Sequence, residues 1–137
     1  MEAVIIGSVK IDTHAKERTL EAKYHALDDP QGVKQLLGDY NALVQRQYQG
    51  DYDAIVILVD LATAIERAGL TDRQRQALAL VYEEEYTQVE TADELGISKQ
   101  TVNRLISVAT AKVARVYEAW ARMGEGYSLG YYGEDTA

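Results

Sequence analysis

The sequence predicts an all-α fold, and three observations lead to it. A single proline stands in 137 residues, so few positions force the backbone out of a helix. Ala, Leu, Gln, Glu and Arg are abundant, and Phe is absent, a composition that favours helix. From Asp29 onward, apolar residues recur every three or four positions between polar residues of the kind that cap helices. At 137 residues and 47 % hydrophobic content the chain can bury one core.

Only the start departs from this pattern. Ala3 to Ile11 reads AVIIGSVKI, β-branched and roughly alternating, and is expected to be a short strand or an arm lying on the helices. A helix over 13–27 follows, with Leu20, Tyr24 and Leu27 as a thin apolar stripe. The next helix is better marked. Asp29 can accept free first-turn amides, and Pro30 suits the first helical position, where its missing N–H costs nothing. Val33, Leu36, Leu37, Tyr40, Leu43 and Val44 then continue at helical spacing to a break at Gly50, so one helix is expected across that span.

Asp51 or Asp53 is the expected cap of a helix reaching Ala68, with Gly69 as its left-handed stop. On a helical wheel Ala54, Ile57, Leu58, Leu61, Ala62, Ile65 and Ala68 share an arc, and Asp60, Thr63, Glu66 and Arg67 lie opposite. Thr71 and Gln74 have the spacing of a capping box and open a helix to about Tyr82, with Ala77, Leu78, Val81 and Tyr82 inward. Thr87 and Glu90 repeat the box; that helix ends at Leu95, and Gly96 supplies the turn. Ser98 caps the last helix, which meets no breaker before Gly124 and should span about 36 Å. The closing GEGYSLGYYGEDTA has no periodic stripe and reads as a flexible acidic tail, or as a partner-binding strip through Tyr127, Tyr131 and Tyr132. The organisation expected is therefore an N-terminal helical region over 1–69, a unit over 70–123 and a tail over 124–137.

Charge narrows the function classes. Fourteen Lys and Arg against 22 Asp and Glu leave −8, which argues against coating nucleic acid by bulk charge. The charge is polarised, however. Residues 98–123 carry Lys99, Arg104, Lys112, Arg115 and Arg122 against Glu118, or +4, whereas residues 1–70 hold seven basic and eleven acidic residues, or −4. Without cysteine there are no disulfides or thiolate metal sites, and His14 and His25 lack acidic partners at ligand spacing, so no metal or cofactor is expected. No glycine-rich phosphate loop, nucleophile–base pair or carboxylate cluster supports catalysis, and the chain is not expected to be an enzyme. The longest apolar run, Ala54 to Val59, is far short of the roughly 20 residues a bilayer requires, and no signal peptide opens the chain, so a cytoplasmic location without membrane contact is expected.

Thr87 to Ser107, TQVETADELGISKQTVNRLIS, is the informative stretch. Ala92 is small where two helices approach, Gly96 lies four residues on in the turn, and Ile97, Val102 and Leu105 fill the wedge between the helices. This is the spacing of a helix-turn-helix. The last helix divides into an apolar arc of Val102, Leu105, Ile106, Ala109, Val113, Val116 and Trp120 and a polar side of Gln100, Asn103, Arg104 and Ser107. That side suits a major groove, because Asn and Gln can pair with adenine and Arg with guanine, each for roughly 1 to 3 kcal/mol of discrimination. Lys99 is placed for phosphate, and Ala111 and Ala114, further along, are small enough not to obstruct a duplex. With about 3 to 5 phosphates neutralised, log affinity should fall with log salt at a slope of about −3 to −4. That is weak for a monomer, so a homodimer or a larger assembly is expected to hold the DNA.

LTDRQRQALALVY followed by TQVETADELGISKQTVNRLISVATAKVARV resembles region 4 of sigma-70-type RNA polymerase subunits, over residues 70 to about 117. The resemblance implies that Gln100, Asn103 and Arg104 read bases of double-stranded DNA, that Lys99, Arg73 and Arg75 meet its backbone, and that bacterial RNA polymerase is a partner. Thr91 departs from the family pattern, in which a large aliphatic residue precedes the alanine, implying a looser core there. Residues 1–70 lack Trp and Phe and are acidic, unlike a promoter-melting module. GDYDAIVILVDLATAIERAGLTDRQ instead resembles the small sigma-like late-transcription regulators of phages and prophages, the ArpU type, which implies late-gene activation in a bacterial host. Two other classes fit the same residues: a small terminase-like DNA-packaging adaptor, and an RNA polymerase-binding module without DNA readout.

Overall fold

The computed structural model describes residues 3–6, 9–12 and 27–123. The helix read over 13–27, apart from Leu27, the two histidines and the tail over 124–137 lie outside the described residues. At the start the single strand or arm is replaced by two strands, β1 (Ala3–Ile6) and β2 (Val9–Asp12). They pair antiparallel, Ala3 opposite Asp12 and Ile6 opposite Val9. Pairing lets each strand satisfy the other's backbone groups.

From Pro30 the body is all helical. Helix α1 (Pro30–Gly38) starts as its sequence predicts, with Asp29 Oδ1 accepting the Gln31 N–H at 3.2 Å. The expected single helix to Gly50 is then broken in two. The Asp39 N–H closes α1 on the Gln35 and Leu36 carbonyls, and α2 (Tyr40–Tyr48) begins afresh. The periodicity runs through the break because both halves bury an apolar stripe, but against different partners: α1 packs Val33, Leu36 and Leu37 towards the last helix, and α2 packs Leu43 towards the next one. One straight rod could not reach both.

Asp51 connects α2 to α3 (Tyr52–Arg67) with one carboxylate. Its Oδ1 accepts the Asp53 and Ala54 amides, and its Oδ2 takes the Arg46 guanidinium, with Nε at 2.9 Å. Gly69 follows α3 at φ +70°, the expected left-handed stop. The buried sector of α3 is rotated from the expected arc. Ala62 is exposed, while Asp53, Ala54, Leu61 and Ala64 are buried and Asp60 is half-buried. The cause is that α3 is covered from two sides, by α2 and by the last helix.

Helix α4 (Asp72–Leu78) opens on the Thr71–Gln74 capping box and continues through a π-helical turn (Ala79–Glu83), closed by the Glu84 N–H on the Ala79 carbonyl at 2.9 Å. Asn41 of α2 braces that turn, its Nδ2 donating to the Glu83 carbonyl at 3.1 Å and to Glu85 Oε2 at 2.8 Å. Helices α5 (Gln88–Leu95) and α6 (Lys99–Arg122) complete the body. The 24-residue α6 is its axis, contacted by α1, α3, α4 and α5. One core cluster runs from Val33 to Trp120 along it.

Candidate nucleic-acid interface

The interface is built from local signals upward. Thr87 Oγ1 accepts the Glu90 N–H at 3.0 Å while Glu90 Oε1 accepts the Thr87 N–H at 2.8 Å, so α5 starts with its first amides satisfied in both directions. Gly96 closes α5 at φ +68°, a conformation open to glycine at little cost, and the Ile97 N–H returns to the Ala92 carbonyl at 3.0 Å. Ser98 Oγ then accepts the Thr101 N–H at 3.0 Å and starts α6. The wedge between the helices closes as the spacing requires: Ala92, Val102 and Ile106 are buried, and Leu95, Ile97 and Leu105 pack half-buried against the core.

Thr91, where the family pattern has a larger aliphatic group, is fully enclosed, and its hydroxyl donates to the Thr87 carbonyl at 2.9 Å. The looser core implied by the resemblance is therefore replaced by a sealed, hydrogen-bonded threonine.

Lys99, Gln100, Asn103, Arg104 and Ser107 are all exposed along the first turns of α6. Among the described residues no side-chain hydrogen bond or ion pair engages any of the five. The structure thus brings them onto one open face of one helix. Arg73 and Arg75 are carried by α4 rather than α6. Arg73 donates to the Leu95 carbonyl at 3.3 Å, at the turn between α5 and α6. Two residues on, about 160° round the helix, Arg75 lines a groove of about 400 Å³ between α2, α3 and α4, with Leu58, Ile65, Leu78 and Glu83 among its walls. Burial pushes the Tyr82 phenol up in this groove; burial and the nearby Glu83 carboxylate do the same to Tyr40.

Other expectations are redistributed. Ala114 is buried rather than turned towards a duplex, because four helices cover a wider sector of α6 than the apolar stripe suggests; Ala111 is half-buried. Lys112 bonds to Gln74 Oε1 at 3.0 Å, and Arg122 stands 4.0 Å from Glu118. That leaves Lys99, Arg104 and Arg115 as exposed cations of α6 without a protein partner among the described residues. The structure also exposes Val108, 39 % accessible and about 80° round the helix from Gln100, beside the polar face. The wheel held that signal, although apolar character alone would have assigned the residue to the core. Among the described residues no group of three His, Asp or Glu side chains could hold a metal ion, and no helix is long and apolar enough to cross a membrane.

Two helices joined at a left-handed glycine, one with an open polar face, form a helix-turn-helix, an architecture used by DNA-binding regulatory proteins. The comparison with known families agrees: residues 68–115, 48 of the 137, match the family model described as Sigma-70, region 4, so the chain carries a sigma-region-4-like helix-turn-helix. No curated protein and no solved structure matches the chain.

Proposed function

We propose that this chain is a sequence-specific regulator of transcription, encoded by a phage or prophage, that activates late genes in the cytoplasm of a bacterial host by binding promoter DNA and touching RNA polymerase. The observation that carries the proposal is the exposed row of Gln100, Asn103, Arg104 and Ser107 on α6, whose side chains have no partner among the described residues. Gln100 and Asn103 match adenine, Arg104 matches guanine, and Lys99 at the helix start meets phosphate. The region 4 match supports DNA and polymerase as partners, and the likeness of residues 50–74 to late-transcription regulators supports the phage setting.

The three exposed cations of α6 without a partner among the described residues, Lys99, Arg104 and Arg115, support only a modest electrostatic contribution, with a salt slope of about −3. A second copy of the chain or the polymerase itself supplies the remaining affinity. Genome-wide binding in the host, followed by footprinting of the purified chain at stated salt with and without polymerase, tests the proposal. A protected, sequence-defined site upstream of late genes is the expected result; protection of no site in either condition rejects it.

A further inference from the structure

Lys112 lies on α6 five residues beyond Ser107, about 7.5 Å further along the axis. Its ammonium is engaged by protein acceptors. Nζ donates to Gln74 Oε1 at 3.0 Å and reaches the Gly69 carbonyl at 3.5 Å. Gln74 is buried, and the same Oε1 accepts the Thr71 N–H at 2.9 Å. One carboxamide oxygen therefore joins the recognition helix to the first turn of α4, and the Gly69 contact extends the link to the end of α3. Arg73, in that same turn, reaches the last carbonyl of α5 at 3.3 Å. Both helices of the helix-turn-helix are thus tied to one turn of α4 by a cationic side chain.

Apolar packing is not directional, whereas a charge-assisted hydrogen bond fixes distance and angle. Packing of Val102 and Ile106 seats α6 against α5, and the Lys112 bond adds a directional tie between α6 and α4. We infer that Lys112 is a positioning residue for base reading: acting through Gln74, it sets the orientation in which α6 presents Gln100, Asn103 and Arg104. This rests on the proposed reading of that face. It also removes Lys112 from the DNA contacts that its charge alone would suggest.

The test measures binding of the full chain to the footprinted site and to a scrambled duplex, across a salt series and well below the melting temperature. Lys112→Met should lower affinity for the site about tenfold, leave the scrambled duplex and the salt slope unchanged, and be rescued to within about threefold by Lys112→Arg, which can still donate to Gln74. Loss on both duplexes with a slope smaller by about 1 would make Lys112 a phosphate contact and overturn the inference. Unchanged affinity for the site overturns it too. So does a loss that follows the melting temperature and disappears on cooling, since that is a stability effect alone. If the unmodified chain does not distinguish the two duplexes, base reading itself fails and the inference falls with it.

Discussion

The Arg67 guanidinium of α3 lies over the indole of Trp120 on α6, 5.8 Å from the ring centroid. Trp120 is buried and meets the Tyr117 ring edge-on at 5.3 Å, so this cluster secures the C-terminal half of α6 against the N-terminal helices. Arg67 itself is exposed, and a solvated cation over a ring contributes only about 0.5 to 1 kcal/mol. Trp120→Ala should therefore cost about 3 to 5 kcal/mol and Arg67→Ala no more than about 1. Urea denaturation of both variants checks this; an equal or reversed ranking would mean that the indole is held chiefly by its cation.

The polar face of α6 separates two kinds of DNA contact. Arg104→Ala should cost about 1 to 3 kcal/mol and relax preference at one base position, whereas Lys99→Ala should weaken every sequence alike and reduce the salt slope by about 1. Binding to a panel of single-base operator variants measures both. Equal losses across the panel for both substitutions would contradict the assigned roles.

Asp60 supplies a pH dependence. Burial pushes its carboxyl from 3.8 to about 6, and its Oδ2 has no hydrogen-bond partner among the described residues. Below the unfolded value both states are protonated and Asp60 contributes nothing. Between the two values the folded chain retains a proton that the unfolded chain has lost, so this residue's contribution to stability falls as pH rises, and the cost is complete above about 6. Asp60→Asn should therefore stabilise the fold by about 1 kcal/mol near pH 8, a figure reduced for solvent screening, and by almost nothing near pH 3. Thermal midpoints of the two proteins at both pH values provide the measurement; the same gain at each would rule out titration of Asp60 as the source.

Thr91 tests how tightly the helix-turn-helix is closed. Thr91→Val removes the hydroxyl donor and leaves the Thr87 carbonyl still bonded to the residue 91 N–H, so the loss expected is that of one hydrogen bond, about 0.5 to 1.5 kcal/mol. Thr91→Leu places a larger residue in an enclosed space and should cost about 1 to 3 kcal/mol. Chemical denaturation compares them, and a leucine variant more stable than the native chain would indicate an unfilled space at that position.

The helix boundaries that could be read from sequence are those whose cause is local. Thr71 with Gln74, Thr87 with Glu90, Ser98 and Gly96 each act on backbone groups within a few residues, so spacing alone identifies them. The apolar stripe of α6 was readable for the same reason, since a 3.6-residue period is a property of one helix. The break at Asp39 had no such signal: apolar spacing continues through it, and only the different partners of α1 and α2 require the turn. The exposed face of Lys99 to Ser107 was legible as a face, but its freedom from protein contacts was not.

Chain order alone thus settled that this protein is helical, where most helices begin, and that residues 87–107 form a helix-turn-helix with a polar outer face, because backbone capping and helical periodicity act over a few residues. Packing decided which sector of α3 is buried, that Ala114 is enclosed, and that Lys112 and Arg73 bond to protein. Those outcomes depend on groups far apart in the chain, 38 positions for Gln74 and Lys112, and such pairs meet only after the helices have closed on α6.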